Sequence, residues 1–159
     1  MDDMFQSEQA LQSNAALQNK TALELGKLLA DHRGVEVVVM DMRDLNFWTD
    51  YFIIATVTSD THSMGLERHI KEFVRERGLE IYRRSRKPEK DKGHSYGDNG
   101  SRELSSKELS SYDWRLLDLG GIVIHLMTAG TRSFFELERL WSAAPLIFKG
   151  DNAQSSKSS

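Results

Sequence analysis

The sequence predicts an α/β fold, a mixed five-stranded sheet flanked by helices. Three observations predict it. The runs VEVVVMDM (35–42) and DYFIIATVTS (50–59) are β-branched and apolar, as strands require, and the second is apolar enough to be covered on both faces. Two stretches, 16–32 and 59–77, repeat apolar residues at helical spacing. A Gly120-Gly121 pair separates two apolar runs and supplies the positive φ that a tight hairpin turn needs.

The elements follow in order. Residues 1–16 are rich in Gln, Asn and Ser and are expected to form a disordered N-terminal extension. The first helix is predicted from Ala16 to His32, with Ala22, Leu25, Leu28 and Leu29 in one stripe and Gly34 as its C-cap. After the first strand comes a polar link, then Phe47, Trp48 and the second strand. Ser59 or Asp60 can cap the second helix, whose apolar face holds Leu66, Ile70, Phe73 and Val74. Gly78 ends it, and LEIYRR (79–84) reads as a third strand, reached by a crossover. Residues 85–112 have no apolar period and read as a mobile insertion. The hairpin covers 114–127. RSFFELERLWSAAP (132–145) reads as one short helix stopped by Pro145, with Phe134, Leu137 and Trp141 inward and Phe135 at the edge of that face. One domain over 17–148 results, and 149–159 is expected to be a disordered tail.

Composition narrows the function. A net charge of −3 and a pI near 6.0 argue against nucleic-acid binding by bulk charge. Without cysteine there are no disulfides, thiol nucleophiles or zinc-thiolate sites. No apolar run reaches the length of a membrane span. The first residues carry no leader pattern, so a cytoplasmic location is expected.

Period two puts Trp114, Leu116 and Asp118 on one face of the first hairpin strand and Arg115, Leu117 and Leu119 on the other. The plainer reading of Asp118 is an acceptor for turn N–H groups. The alternative is an edge surface with Trp114 as anchor and Asp118 facing a basic partner. His125 lies among apolar residues, as core histidines do. Glu138 falls within the aromatic face of the terminal helix. A carboxylate there needs a donor or a cation, which His125 or Arg132 can supply. The basic run 83–92 is either a solvated insertion or a track for RNA phosphates. Catalytic motifs are missing. Asp41 and Asp44 could suggest a metal pair of a nucleotidyltransferase-like enzyme, but their spacing and the lack of a Gly-Ser motif argue against it. No cofactor or metal is expected, and the protein is not expected to be an enzyme.

Two blocks carry a resemblance. DYFIIATVTSDTHSMGL and DWRLLDLGGIVIHLMTAGTRSFFELERLW resemble the Iojap family, the ribosomal silencing factors. The matching positions are Asp113, Trp114, Asp118, Gly120, His125, Arg132, Phe135, Leu137, Glu138, Leu140 and Trp141, with Thr49-Asp50 and Ser59…His62 in the earlier block. The resemblance covers about residues 17–148. It implies a sheet similar to nucleotidyltransferases without catalysis. It also implies binding to the large ribosomal subunit at ribosomal protein L fourteen, with steric repression of subunit joining when nutrients are scarce. Homodimers are a further implication. On this reading Asp113, Trp114, Asp118, Gly120, Gly121 and Phe135 meet the partner, while His125, Arg132, Glu138 and Trp141 are structural. Three positions depart from the pattern. Gly121 stands for the usual Asp, Phe135 for the usual Tyr, and the 85–112 insertion for a short acidic loop. The extra basic charge of the insertion could touch ribosomal RNA.

Overall fold

The computed structural model describes residues 2–45, 48–84 and 113–150. The chain runs α1 (Asp2–Asp31), β1 (Val35–Asp41), β2 (Tyr51–Val57), α2 (Asp60–Glu76), β3 (Arg83–Arg84), β4 (Trp114–Asp118), β5 (Ile122–Thr128), α3 (Ala129–Phe135), α4 (Leu137–Leu140) and β6 (Leu146–Lys149). One mixed sheet has the order β3-β4-β5-β2-β1-β6. Only β2 and β5 pair in parallel; the other neighbours are antiparallel.

The helices α1 and α2 cover one face. Ala22, Leu25 and Leu29 of α1 and Leu66, Ile70 and Val74 of α2 pack on Val37, Val39, Ile53, Ala55, Ile124 and Leu126. These helix residues are the apolar stripes read from the sequence, and each fully buried Leu or Ile contributes about 1.5–3 kcal/mol. The other face carries Val38, Met40, Phe52, Ile54, Val123 and Met127, covered by the shorter α3 and α4. All seven residues of β2 are buried, as its unbroken apolar run requires.

Several expectations change. Helix α1 begins at Asp2, so residues 2–16 continue the helix instead of forming a disordered extension, although Ser7–Leu17 are exposed. Residues 79–82 lie outside the third strand, which is only Arg83–Arg84. It runs in the direction of β2, but β4 and β5 stand between them. The segment after Pro145 adds a sixth strand at the edge beyond β1. Gly150 extends that edge by donating to the Val37 carbonyl. The 85–112 insertion and the tail after Gly150 lie outside the described residues.

Helix caps follow short-range chemistry. Ser59 caps α2, its hydroxyl accepting from the His62 N–H at 3.0 Å. At the end of α1, Arg33 and not Gly34 takes the left-handed conformation (φ 71°). The Gly34 N–H then bonds the Leu29 carbonyl at 2.7 Å and the Arg33 N–H the Ala30 carbonyl at 3.3 Å, a Schellman closure. Gly34 is needed for space: a Cβ there would lie 2.6 Å from the Leu29 oxygen.

These geometries predict opposite outcomes at adjacent positions. Arg33→Gly should raise stability by about 1 kcal/mol, because an L-residue in the left-handed region carries a cost of that order. Gly34→Ala should lower it by a similar or larger amount. Urea denaturation of the three proteins measures both.

A candidate partner-binding surface on the hairpin

The terminal segment is organised by Arg132. Its guanidinium is buried and makes four contacts. Nε donates to Glu138 Oε1 at 2.9 Å, and Nη2 donates to the same oxygen. Nη1 donates to the Glu36 carbonyl at 2.7 Å and to Thr56 Oγ1 at 3.0 Å. One side chain of α3 thus holds α4, β1 and β2. The Glu36 carbonyl is within reach because β1 bulges between Val35 and Val38, with Glu36 at φ 48°. Of the two expected partners of Glu138, the structure assigns Arg132; His125 lies elsewhere.

The expected single helix is broken. Glu136 is left-handed (φ 45°), ending α3 and starting α4. The break shifts the helical wheel. Phe134, expected inward, is 66% exposed, and Leu140 is 67% exposed. Phe135, expected at the edge of the inward face, is half-buried with Leu137 and Trp141 against the second core. The Phe135 ring lies 4.8 Å from that of Trp114, and Phe134 stands edge-on to Phe135 at 5.1 Å.

Trp114 has a polar partner as well as apolar ones. Its indole N–H donates to His125 Nδ1 at 3.1 Å. Since an indole nitrogen can only donate, Nδ1 must be the unprotonated nitrogen, and the neutral ring carries its hydrogen on Nε2. The His125 ring is buried and edge-on to Phe52 at 4.8 Å. Phe52 in turn meets Trp141 edge-on at 6.4 Å. An aromatic series therefore runs from the half-buried Trp141 through the buried Phe52 and His125 to Trp114 and Phe135, and on to Phe134 at the surface. Burial lowers His125 from its ordinary 6.5 to about 4.

Asp113 sits beside Trp114, and its carboxylate accepts from the Thr128 hydroxyl at 3.2 Å, which fixes the start of α3. Asp118 is four residues beyond Trp114 along β4, about 13 Å from it at the usual strand rise. It is buried and accepts the Gly120 N–H at 2.8 Å. That is the plainer of its two readings. Gly120 (φ 95°) makes the turn, and the Leu119 N–H closes it on the Ile122 carbonyl. At Gly121 the Gln18 amide of α1 occupies the place of a side chain, with Nε2 only 1.5 Å from an added Cβ. Any larger residue must push Gln18 aside, so Gly121 and Gln18 fit each other. The predicted contact residues thus form two groups, one at each end of β4: Asp113, Trp114 and, from α3, Phe135 at its start, and Asp118, Gly120 and Gly121 at its end.

Other polar groups are tied into the fold. Arg115 bridges from β4 to Glu67 at 2.5 Å and Asp60 at 3.1 Å on α2. Burial alone would raise the Glu67 carboxyl, but hydrogen bonds from Lys71 and Arg115 hold it below its ordinary value. Asp41 accepts two side-chain bonds from Arg43, at 2.9 and 2.7 Å, and these lower its pKa. Among the described residues no group of three or more His, Asp and Glu converges to hold a metal ion. None of their helices is long and apolar enough to cross a membrane. The exposed Phe134 and Leu140, and the exposed Trp48 and Tyr82 near the hairpin turn, are surface features that the helical wheel and strand period did not single out.

Fold and site define an α/β domain with a mixed sheet and an aromatic surface beside its hairpin. Residues 15–159 match the family model described as ribosomal silencing factor during starvation. The ribosomal silencing factor RsfS of Treponema pallidum (strain Nichols) is 32% identical over 124 residues, covering 77% of this chain and 91% of that protein. The RsfS of Bacillus subtilis (strain 168) is 28% identical over 119 residues, 73% of this chain and 80% of that protein. A crystal structure from Bacillus halodurans shares the fold, with a TM-score of 0.54 and 23% identity over 79% of this chain and 95% of that one. The chain belongs to the ribosomal silencing factor family.

Two outcomes follow from the buried polar groups. Glu138→Gln should cost about 1–2 kcal/mol, because it removes a charge-assisted acceptor from a buried guanidinium; a fall in melting temperature checks it. Unfolded His125 takes up a proton near pH 6.5, the folded one only near pH 4. Stability is therefore full above pH 6.5 and falls as pH drops through that window, by about 3 kcal/mol in all. Urea midpoints between pH 4.5 and 6.5 should show this slope, and His125→Gln should flatten it.

Proposed function

We propose that this chain acts in the cytoplasm by binding the large ribosomal subunit at ribosomal protein L fourteen and sterically blocking its union with the small subunit. No reaction is catalysed; occupancy of the joining surface represses translation. Membership in the silencing-factor family supports the ribosome as target. The observation that carries the surface is the aromatic group at the start of the hairpin. Trp114 and Phe135 stand half-buried beside the exposed Phe134. Aromatic side chains on a firm base are the usual anchors of protein interfaces. Trp114 is held by its bond to His125, so little side-chain freedom is lost on binding. A second copy of the chain could use the same apolar face, which makes a homodimer a competitor of the ribosome. The basic positions 83–92 are assigned a secondary contact with ribosomal RNA.

The alternative, a metal-dependent nucleotidyltransferase-like enzyme, needs the Asp41 carboxylate for a cation. Arg43 already holds that carboxylate through two hydrogen bonds.

Sucrose-gradient sedimentation with purified subunits tests the proposal. Wild-type protein should comigrate with the large subunit and reduce the joined peak. Trp114→Ala should weaken both effects at least tenfold, about 1.4 kcal/mol. Phe134→Ala should weaken them while leaving the melting temperature unchanged, because that ring is exposed. Excess wild-type protein that neither comigrates nor reduces joining would refute the proposal.

A further inference from the structure

We propose that the cleft between the N-terminal half of α1 and the β4–β5 turn receives an amphipathic segment of a partner protein, one lysine or arginine of which meets Asp50. The cleft has a volume of about 380 Å³. Leu11, Leu17 and Gln18 of α1 line one side, and Leu79, Leu119 and Ile122 the other. The stripe of α1 that buries Ala22, Leu25 and Leu29 continues toward the N-terminus through Gln18, Ala15 and Leu11, at helical steps of three and four. Gln18 meets the turn at Gly121, where the strands end. Leu11, two helical turns earlier, is 68% exposed, Leu17 is 60% exposed, and Leu79 is exposed as well. An apolar stripe that outruns its own sheet leaves a seat for the apolar face of another chain.

The charge of the cleft selects the occupant. Asp50 is the one ionisable residue among the described residues that line it. Its backbone is fixed: its N–H donates to the Gly121 carbonyl at 3.0 Å, and its carbonyl accepts the Met42 N–H at 2.8 Å. Among the described residues no hydrogen bond or ion pair engages the carboxylate, although Asp50 is half-buried. Lys20 and Arg77, the basic residues nearest the cleft in sequence, both pair with Glu24 instead. A carboxylate in such a setting calls for a cation. A lysine or arginine can lay its aliphatic stem along the leucines while its head reaches the carboxylate. A second copy of this chain brings the wrong charge, because residues 2–17 hold three carboxylates and no lysine or arginine. A nucleic acid finds a carboxylate and no cation in the lining. A small amphipathic amine would satisfy Asp50 but leave the three exposed leucines wet, whereas a polypeptide segment covers them together.

This cleft belongs to the α1 side of the sheet, while Trp114 and Phe135 pack in the opposite core. It therefore goes beyond the ribosomal reading and does not rest on it. The probe is a fluorescein-labelled helical peptide of Ala and Gln with three leucines on one face and a single lysine among them. Two controls replace that lysine with glutamate or with norleucine. Anisotropy titration with the full chain should show the lysine peptide binding on the order of tenfold tighter than the glutamate peptide. Asp50→Asn should weaken the lysine peptide about tenfold and leave the norleucine peptide unchanged. Asp50→Lys should reverse the preference between lysine and glutamate. Leu11→Ser and Leu17→Ser should weaken all three peptides with unchanged melting temperature, since both side chains are exposed. Phe134→Ala, on the other surface, should leave peptide binding as it is. No binding of the lysine peptide, equal affinity for the lysine and glutamate peptides, or loss of binding in Phe134→Ala would each overturn the proposal. So would self-association of the chain, read by sedimentation equilibrium, that Leu11→Ser abolishes, because the occupant would then be a second copy.

Discussion

A single buried guanidinium sets the geometry of the C-terminal third. Arg132 cannot be left without partners inside the protein, since an unpaired buried charge is costly. Its needs are met from three directions: a carboxylate on α4, a carbonyl on β1 and a hydroxyl on β2. Two local irregularities sit on this arrangement. Glu36, left-handed in the bulge of β1, offers its carbonyl to Arg132. Glu136, left-handed between α3 and α4, turns the chain so that Glu138 comes back to the same guanidinium. Such backbone conformations persist where surrounding contacts hold them. The break at Glu136 is also what turns Phe134 outward and Phe135 against Trp114.

The sheet is closed unequally. On one face, two long helices bury a continuous stripe of Leu, Ile and Val. On the other, two short helices cover a core that includes His125 and grades into half-buried aromatics. The polar edges of that second core are joined by specific bonds, indole to imidazole and guanidinium to carboxylate. Aromatic residues near the surface are thereby held in place by the interior, the condition for a surface that binds without rearranging.

Much of this was legible in the sequence. The strands 35–42 and 50–59, the cap at Ser59, the hairpin at Gly120-Gly121 and the stripes of both long helices follow from short-range periodicity and turn chemistry. The family was legible from the order of several weak motifs. What failed depended on contacts far apart in sequence. The wheel of 132–145 assumed one unbroken helix, whereas Glu136 adopts a left-handed conformation beside the Arg132–Glu138 pair. PLIF has no clear alternation and becomes a strand only because β1 has a free edge. Residues 2–16 have a polar composition, yet they continue a helix whose C-terminal half is anchored on the sheet. The two readings of Asp118 were separable only by seeing which N–H it accepts. The exposed Trp48 and Tyr82 come from either side of α2 in sequence, and no motif links them.

The parallel pairing of β2 with β5 has a consequence for how the chain is made. Tyr51 pairs with Ile122, and α2, β3, residues 85–112 and β4 all lie between. During synthesis β2, apolar on both faces, has β1 along one side and an unfilled ladder along the other until β5 emerges. An unpaired apolar edge is a template for wrong partners, and pairings this distant in sequence form late. The local β4–β5 hairpin can form as soon as it is made and then dock as a unit. The same hairpin that carries the proposed binding surface is therefore the piece that seals the nascent sheet.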